Sequence, residues 1–288
     1  LYVQGENPAM SDPDQIHSRK ALARLEHLVV QDIFMTETAW NADVILPASA
    51  HAEKTGTYTN TNRQIQIGRA VVEPPKEVRQ DWWIIQEIAK RMGLGWSYKS
   101  PKDIFDEMKL VMPSLDNISW ERLEKDNHVT YPVKSELFPG EDIIFTDGFP
   151  TSNNLAKIIP TNLSKPNDEL NSDFPLILST GRLLEHWHTG TMTRRAVILN
   201  ELEPDPMIFM NQVDSNFYNL DLNKSVIIET RRGKISIKIR HDNDLLPGMI
   251  FLPFCFKEAA ANILTNSDLD PIGKIPELKF SAARVFQN

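Results

Sequence analysis

The chain has 288 residues, 41% of them hydrophobic and 24% charged, with a formal net charge of −8. This is an ordinary globular composition, long enough for two domains, and its acidic balance argues against a general nucleic-acid binder. No apolar run approaches the roughly 18 residues of a membrane span, no leader is expected, and the single cysteine, Cys255, excludes an internal disulfide framework and a Cys-built iron–sulfur or zinc site within the chain, in a setting expected to be reducing and cytoplasmic.

The first hundred residues read as α/β. Leu1–Val3 is a short apolar strand, expected to be buried; with no Met before it, the chain is expected to start inside a longer protein. Gly5-Glu6-Asn7-Pro8 is a turn, and Asp12-Pro13 starts a helix. Leu28-Val29-Val30 is a second strand ending in Gln31-Asp32, and Val44-Ile45-Leu46 a third, stopped by Pro47. Asp81 caps a helix to about Met92, with Trp82, Ile85, Ile88, Ala89 and Met92 on one face and Gly93 as its stop. Ser100-Pro101-Lys102-Asp103 opens another with a capping-box pattern.

From about Asn127 to Asp173 the chain is rich in Pro, Asn, Ser and acidic residues. It reads as a long crossing connection in which Ile143-Ile144-Phe145 and Ile158-Ile159 need burial. From Phe174 onward the pattern is mainly β. Pro175–Leu178 is a strand, and Val226–Ile228, Arg231-Arg232-Gly233 and the alternating Ile235, Ile237 and Ile239 make a hairpin signature. Met249–Leu252 adds a strand, and short strands separated by turns suggest a closed barrel.

Several segments carry candidate chemistry. Asp32 follows a buried strand, where open α/β sheets collect ligands, and a carboxylate suits ribose hydroxyls or a guanine edge. Asn7 ends the first strand in the same way, although both residues are also ordinary turn formers. Lys54 suits a phosphate or ring carbonyl but also bulk solvent, and capping sufficiently explains Asp81. Residues 180–195 are the most unusual, with four threonines, two histidines, three arginines and two glycines after a strand. Such a segment suits an anionic, heteroatom-rich ligand, with close backbone approach at Gly181 and Gly190. His186 and His188 would share one face if they lay on a strand, as a metal pair does. Taken singly, Phe254 reads as core, Asn262 as a helix residue, Lys279 as solvated and Cys255 as a buried inert thiol.

Together these stretches resemble the molybdopterin oxidoreductase family, and within it formate dehydrogenase alpha subunits. The matching segments are Gly5–Pro8, Val29–Ala39, Ala42–Pro47, Glu53–Thr61, Glu73–Pro75 and Asp81–Trp83, then His186–Arg195 and Asp270–Ile272 with Lys274 and Pro276-Glu277. They run in order over nearly the whole chain, with a looser middle.

The resemblance implies a partial Rossmann-like α/β unit at 1–125 that holds a guanosine, a crossing connection at 126–172, and a mainly β six-stranded barrel at 173–288 that covers the pterins. It implies molybdopterin guanine dinucleotide carrying molybdenum or tungsten. Asn7, Gln31, Asp32, Lys54 and Asp81 would contact its guanosine end. Thr180, Gly181, Arg182, Leu183, Leu184, Glu185, His186, Trp187, His188 and Thr189 would line the pterin and its phosphates. Phe254, Asn262 and Lys279 would touch the second cofactor or close the pocket, with Thr36 and Asp106 as weaker candidates. The metal-ligating residue and the cysteines of a 4Fe–4S cluster are expected upstream, in the N-terminal part of the same subunit, so that this chain alone is expected to be inactive. Formate and electron-transfer subunits would be the parent's partners, with no nucleic acid. The alternatives are a nitrate reductase catalytic subunit and a cofactor-free folding or interaction module.

Overall fold

The computed structural model describes residues 1–287. They form two compact units, one of residues 1–45 with 163–287 and one of residues 46–162.

The first unit begins with Tyr2–Gln4 (β1), which pairs in parallel with Val29–Asp32 (β2), Val3 opposite Val30 and Gln4 opposite Gln31. Pro8–Ser11 (α1) and Gln15–Leu22 (α2) connect them. The sheet order is β1-β2-β3, where Val44–Pro47 (β3) leads into the second unit. As an edge strand, β1 buries only Val3, while Leu1 and Tyr2 are exposed, so the expected buried opening strand is corrected. The helix start also moves. Pro8 sits in the first turn of α1, so the expected turn ends in a short helix. Asp14, not Asp12, caps α2 by accepting from the His17 amide. Two acidic residues stand close enough here for either to be the cap, and the side chain one residue outside the helix wins.

In the second unit Gly56–Thr59 (β4) and Gln64–Gly68 (β5) make a hairpin not anticipated from sequence, and His128–Thr130 (β6) pairs with β5. Asp81–Arg91 (α3), Pro101–Val111 (α4) and Trp120–Asp126 (α5) accompany them. Ile65, Phe105, Ile118, Leu123 and Val129 fill this core. Ser100 caps α4 as its sequence predicts, accepting from the Asp103 amide. Gln80 holds the cap position of α3, with Asp81 its first residue; Ile84 and Ala89 are buried, and Met92, expected on the same face, is exposed. Beyond β6, Ile143, Phe145 and Ile158 are also exposed, against expectation. The segment forms no strand that would deliver a row of side chains to a core, and Phe145 stacks locally on Phe149 at 5.1 Å instead.

The rest of the first unit is a closed barrel of Leu176–Gly181 (β7), Met207–Met210 (β8), Val226–Thr230 (β9), Lys234–His241 (β10), Met249–Pro253 (β11) and Ser281–Gln287 (β12), in the order β10-β8-β11-β7-β12-β9. The β9–β10 hairpin forms as its alternation predicts, with Ile228 opposite Ile235. Val197–Leu202 (α6) and Gln212–Phe217 (α7) flank β8 in sequence. Leu176, Leu178, Ile208, Met210, Ile228 and Ile250 point inward. Period-two alternation puts every second side chain there, and closure removes both sheet edges.

Candidate functional site

Barrel topology gathers residues far apart in sequence. β7 and β11 are parallel neighbours, Thr180 opposite Leu252 and Gly181 opposite Pro253. Parallel neighbours end at the same rim, so the loops after residues 181 and 253 emerge side by side. β12 runs antiparallel to β7, which brings its lead-in to that rim as well. The Lys279 ammonium donates to the Thr180 carbonyl at 2.5 Å, and the Thr180 hydroxyl donates to the Leu278 carbonyl at 2.7 Å. Lys279 is therefore anchored rather than freely solvated. The missing side chain of Gly181 makes room for the Phe251 ring.

Arg182 stands over two aromatic faces, Trp187 at 5.3 Å and Phe254 at 5.9 Å, and His188 meets Phe254 edge-on. Among the described residues no hydrogen bond or ion pair engages its guanidinium, so five donors are held by stacking alone. Leu183 and Glu185 are half-buried, Leu184 is exposed, and the buried Thr189 shares a hydrogen bond with the Thr191 hydroxyl. The strand ends at Gly181, and His188 has a φ of 50°. The one-face argument for a His186/His188 metal pair therefore loses its strand. His186 turns inward, its Nε2 at 2.8 Å from the Glu203 carbonyl.

The carboxyl ends of β1 and β2 belong to the same unit. Buried Asn7 donates to Glu37 at 2.8 Å and accepts from the amide and hydroxyl of Thr38. Gln31 is buried and bonded to the Tyr2 hydroxyl. Asp32 forms the turn its alternative reading predicts, one oxygen accepting from the Ile33 and Phe34 amides at 2.7 and 3.3 Å. Burial pushes its carboxyl above the usual range. The Phe34 and Ile33 amides oppose that shift, Glu6 adds to it, and Arg195 opposes it. Arg195 also donates to the Met35 carbonyl and stacks over Phe34 at 4.7 Å. A cavity of about 320 Å³, with Glu37, Thr189, Thr191, Arg195, Cys255 and Lys257 among its lining, opens beside these residues. Asn262, in a 3-10 turn rather than an α-helix, donates to the Met10 and Ser11 carbonyls, while its Oδ1 is buried without a protein donor among the described residues. Thr36 caps a turn by accepting from the Ala39 amide. Cys255 is buried, and burial pushes its thiol up to about 12.

Lys54 and Asp81 lie in the second unit and form an ion pair with each other. They line a cavity of about 260 Å³ together with Thr57, Tyr58, Trp82 and Phe105. Asp106 pairs with Lys102 on the surface of α4. Of the residues lining the 320 Å³ cavity, Thr191 and Arg195 belong to the donor-rich stretch 180–195 singled out from sequence, although not to the individually named set, whereas Glu37 carried no signal of its own.

Residues 1–91 match the family model described as Molybdopterin oxidoreductase, and residues 176–282 match that described as Molydopterin dinucleotide binding domain. Over 287 residues, 99% of its length, the chain is 44% identical to the F420-dependent formate dehydrogenase subunit alpha of Methanocaldococcus jannaschii. Residues 1–91 thus belong with the molybdopterin oxidoreductases and residues 176–282 with the molydopterin dinucleotide binding domains. Another family relative, the F420-dependent formate dehydrogenase 1 subunit alpha of Methanococcus maripaludis, is 38% identical over 287 residues. The chain spans 42% of the length of each of these relatives. The solved acetylene hydratase from Pelobacter acetylenicus shares the fold, with a TM-score of 0.78 at 21% identity, covering 100% of this chain and 44% of that one. The site suits the family's dinucleotide. Arg182 offers an unpaired, oriented guanidinium to a phosphate, and Asn262 Oδ1 is a buried acceptor suited to a heterocycle N–H.

Proposed function

We propose that this chain is the cofactor-holding part of a formate dehydrogenase alpha subunit. Its portions at 1–125 and 173–288 would hold molybdopterin guanine dinucleotide, with 126–172 crossing between them. The observation that carries this reading is the Arg182 guanidinium, oriented by Trp187 and Phe254 with no anion against it among the described residues. When bound, the cofactor's molybdenum or tungsten supplies the two-electron redox chemistry by which formate becomes carbon dioxide and a proton.

The chain's own residues bind and orient. Arg182 would clamp the phosphates, the residues from Thr180 to Thr189 other than the inward-turned His186 would line the pterin, and Asn7, Gln31 and Asp32 would meet the guanosine. Phe254, Asn262 and Lys279 would face a second dinucleotide or close the pocket. A 4Fe–4S cluster and the metal-ligating side chain would come from the rest of the alpha subunit, with partner subunits receiving the electrons. Formate rather than nitrate is favoured by the 44% identity to a formate dehydrogenase subunit over 99% of the chain.

The test is Arg182→Ala in the full-length protein, reading molybdenum or tungsten per subunit beside the thermal midpoint. Metal content should fall, while stability changes by no more than about 1 kcal/mol of lost cation–π contact. Full metal content with a midpoint several degrees lower would make Arg182 structural and remove the main support. Assaying the intact protein with formate and with nitrate, using dye partners, separates the two substrates.

A further inference from the structure

The loop after β7 carries exposed side chains at Arg182, Leu184 and Trp187, yet His186 within it is only 2% exposed. A buried imidazole needs partners for both nitrogens. Its Nε2 lies 2.8 Å from the Glu203 carbonyl oxygen, and a carbonyl can only accept, so Nε2 carries the hydrogen. In the neutral ring Nδ1 is then the acceptor, and the Thr193 hydroxyl at 3.4 Å is its donor. That same hydroxyl accepts from the Trp187 amide at 3.0 Å. One directed chain results, from the Trp187 amide through Thr193 and His186 to Glu203.

The Glu203 end of this chain is tied to the barrel, and its imidazole packs on a buried ring. The Glu203 carboxylate holds Arg240 of β10 through two bonds, of 2.8 and 3.0 Å. The His186 ring meets the fully buried Phe256 edge-on at 5.6 Å, and Arg194 covers the same Phe256 ring at 4.6 Å. Arg194 is itself held by Glu258 at 2.5 Å and by Asn200 at 3.1 Å.

We propose that Thr193 and His186 are positioning residues, a latch that fixes the Trp187 backbone so that its ring, with Phe254, holds Arg182 ready for a polyanionic cofactor. This rests on the assignment of Arg182 to the cofactor under Proposed function. It separates His186 from the rest of the 180–189 run, because its ring is engaged by protein and turned away from any ligand.

The test uses the full-length protein with Thr193→Val and Thr193→Ser. Hydrogen exchange of the Trp187 amide is read on cofactor-stripped protein, and molybdenum or tungsten per subunit on protein as purified. Valine removes the acceptor of the Trp187 amide and should speed its exchange about tenfold, as expected for loss of one hydrogen bond, and should lower metal content. Serine keeps the hydroxyl and should restore both. Thr193→Ala, which adds no apolar bulk beside the imidazole, gives the same reading if the valine protein does not fold. Wild-type exchange at Trp187 in the valine and alanine proteins would overturn the latch. Faster exchange with full metal content would overturn its positioning role. In that case Arg182→Ala tells the two ideas apart: if it still loses metal only the latch fails, and if it retains metal the cofactor reading of the loop fails too.

Discussion

Gly190→Ala should be among the most damaging single-methyl additions in the barrel unit. Gly190 has a φ of +75°, in the region where an L side chain crowds its own backbone, at a cost of about 1–2 kcal/mol. An added Cβ would also stand 2.5 Å from the Cys255 carbonyl oxygen and 2.9 Å from Arg194 Cγ. Neither neighbour yields readily. The carbonyl belongs to backbone between the buried Pro253 and Phe256, and the Arg194 guanidinium is held by Glu258, Asn200 and the Phe256 ring. Overpacking of this kind costs about 1–3 kcal/mol, which brings the total to about 2–5 kcal/mol. At roughly 2–4 °C per kcal/mol for a domain of this size, the thermal midpoint should fall by about 4–20 °C. Gly248→Ala is the control, with a φ of +89° and no heavy atom within 4 Å of the added carbon. It carries the backbone cost alone and should lose only about 2–8 °C. Circular dichroism melts of both variants check the difference. Equal losses would refute the packing of Gly190 against Cys255 and Arg194.

Other consequences are independent of that contact. Leu178→Ala, in the barrel core at 0% exposure, should cost about 2–5 kcal/mol by chemical denaturation. Leu184→Ala, 97% exposed, should stay within about 0.5 kcal/mol; similar losses would contradict the barrel packing. The carboxyl of Asp32 is raised in the fold, chiefly by burial, so its contribution to stability is present in acid and lost as pH rises through the folded-state value. Asp32→Asn keeps the acceptor for the Ile33 and Phe34 amides. It should be at least as stable as the parent at neutral pH, with the advantage vanishing on acidification toward the ordinary carboxylate range; a less stable variant at pH 7 would contradict this. The same substitution should weaken binding of GMP more than of AMP, because only a guanine edge donates twice to a carboxylate, and equal losses would mean that Asp32 does not read the base. Cys255, its thiol pushed up to about 12, should resist iodoacetamide in the native protein and react once denatured. Rapid native labelling would contradict its burial.

Local pattern by itself determined several elements. The β9–β10 hairpin was legible because alternation and a Gly-containing turn are written within a few consecutive residues, and the Ser100 cap because its partner amide lies three residues away. The family was legible too, since its motifs are contiguous stretches. Tertiary structure alone decided what crosses the chain. Nothing in sequence said that β7 and β11 would lie parallel and side by side, yet that pairing is what puts Arg182, Phe254 and Lys279 at one rim. Sequence read Lys54 and Asp81 separately, as a phosphate partner or solvated lysine and as a helix cap, with guanosine contact implied by resemblance, and only folding paired them with each other. Ile143 and Ile158 read as core because they are apolar, but burial also needs a neighbouring element to receive a side chain, and that is a property of the whole fold. His186 shows the same division. Composition placed it in a ligand-rich loop, while the Glu203 carbonyl 17 residues away and the Phe256 ring turned it inward, because a buried imidazole goes where both its nitrogens find partners.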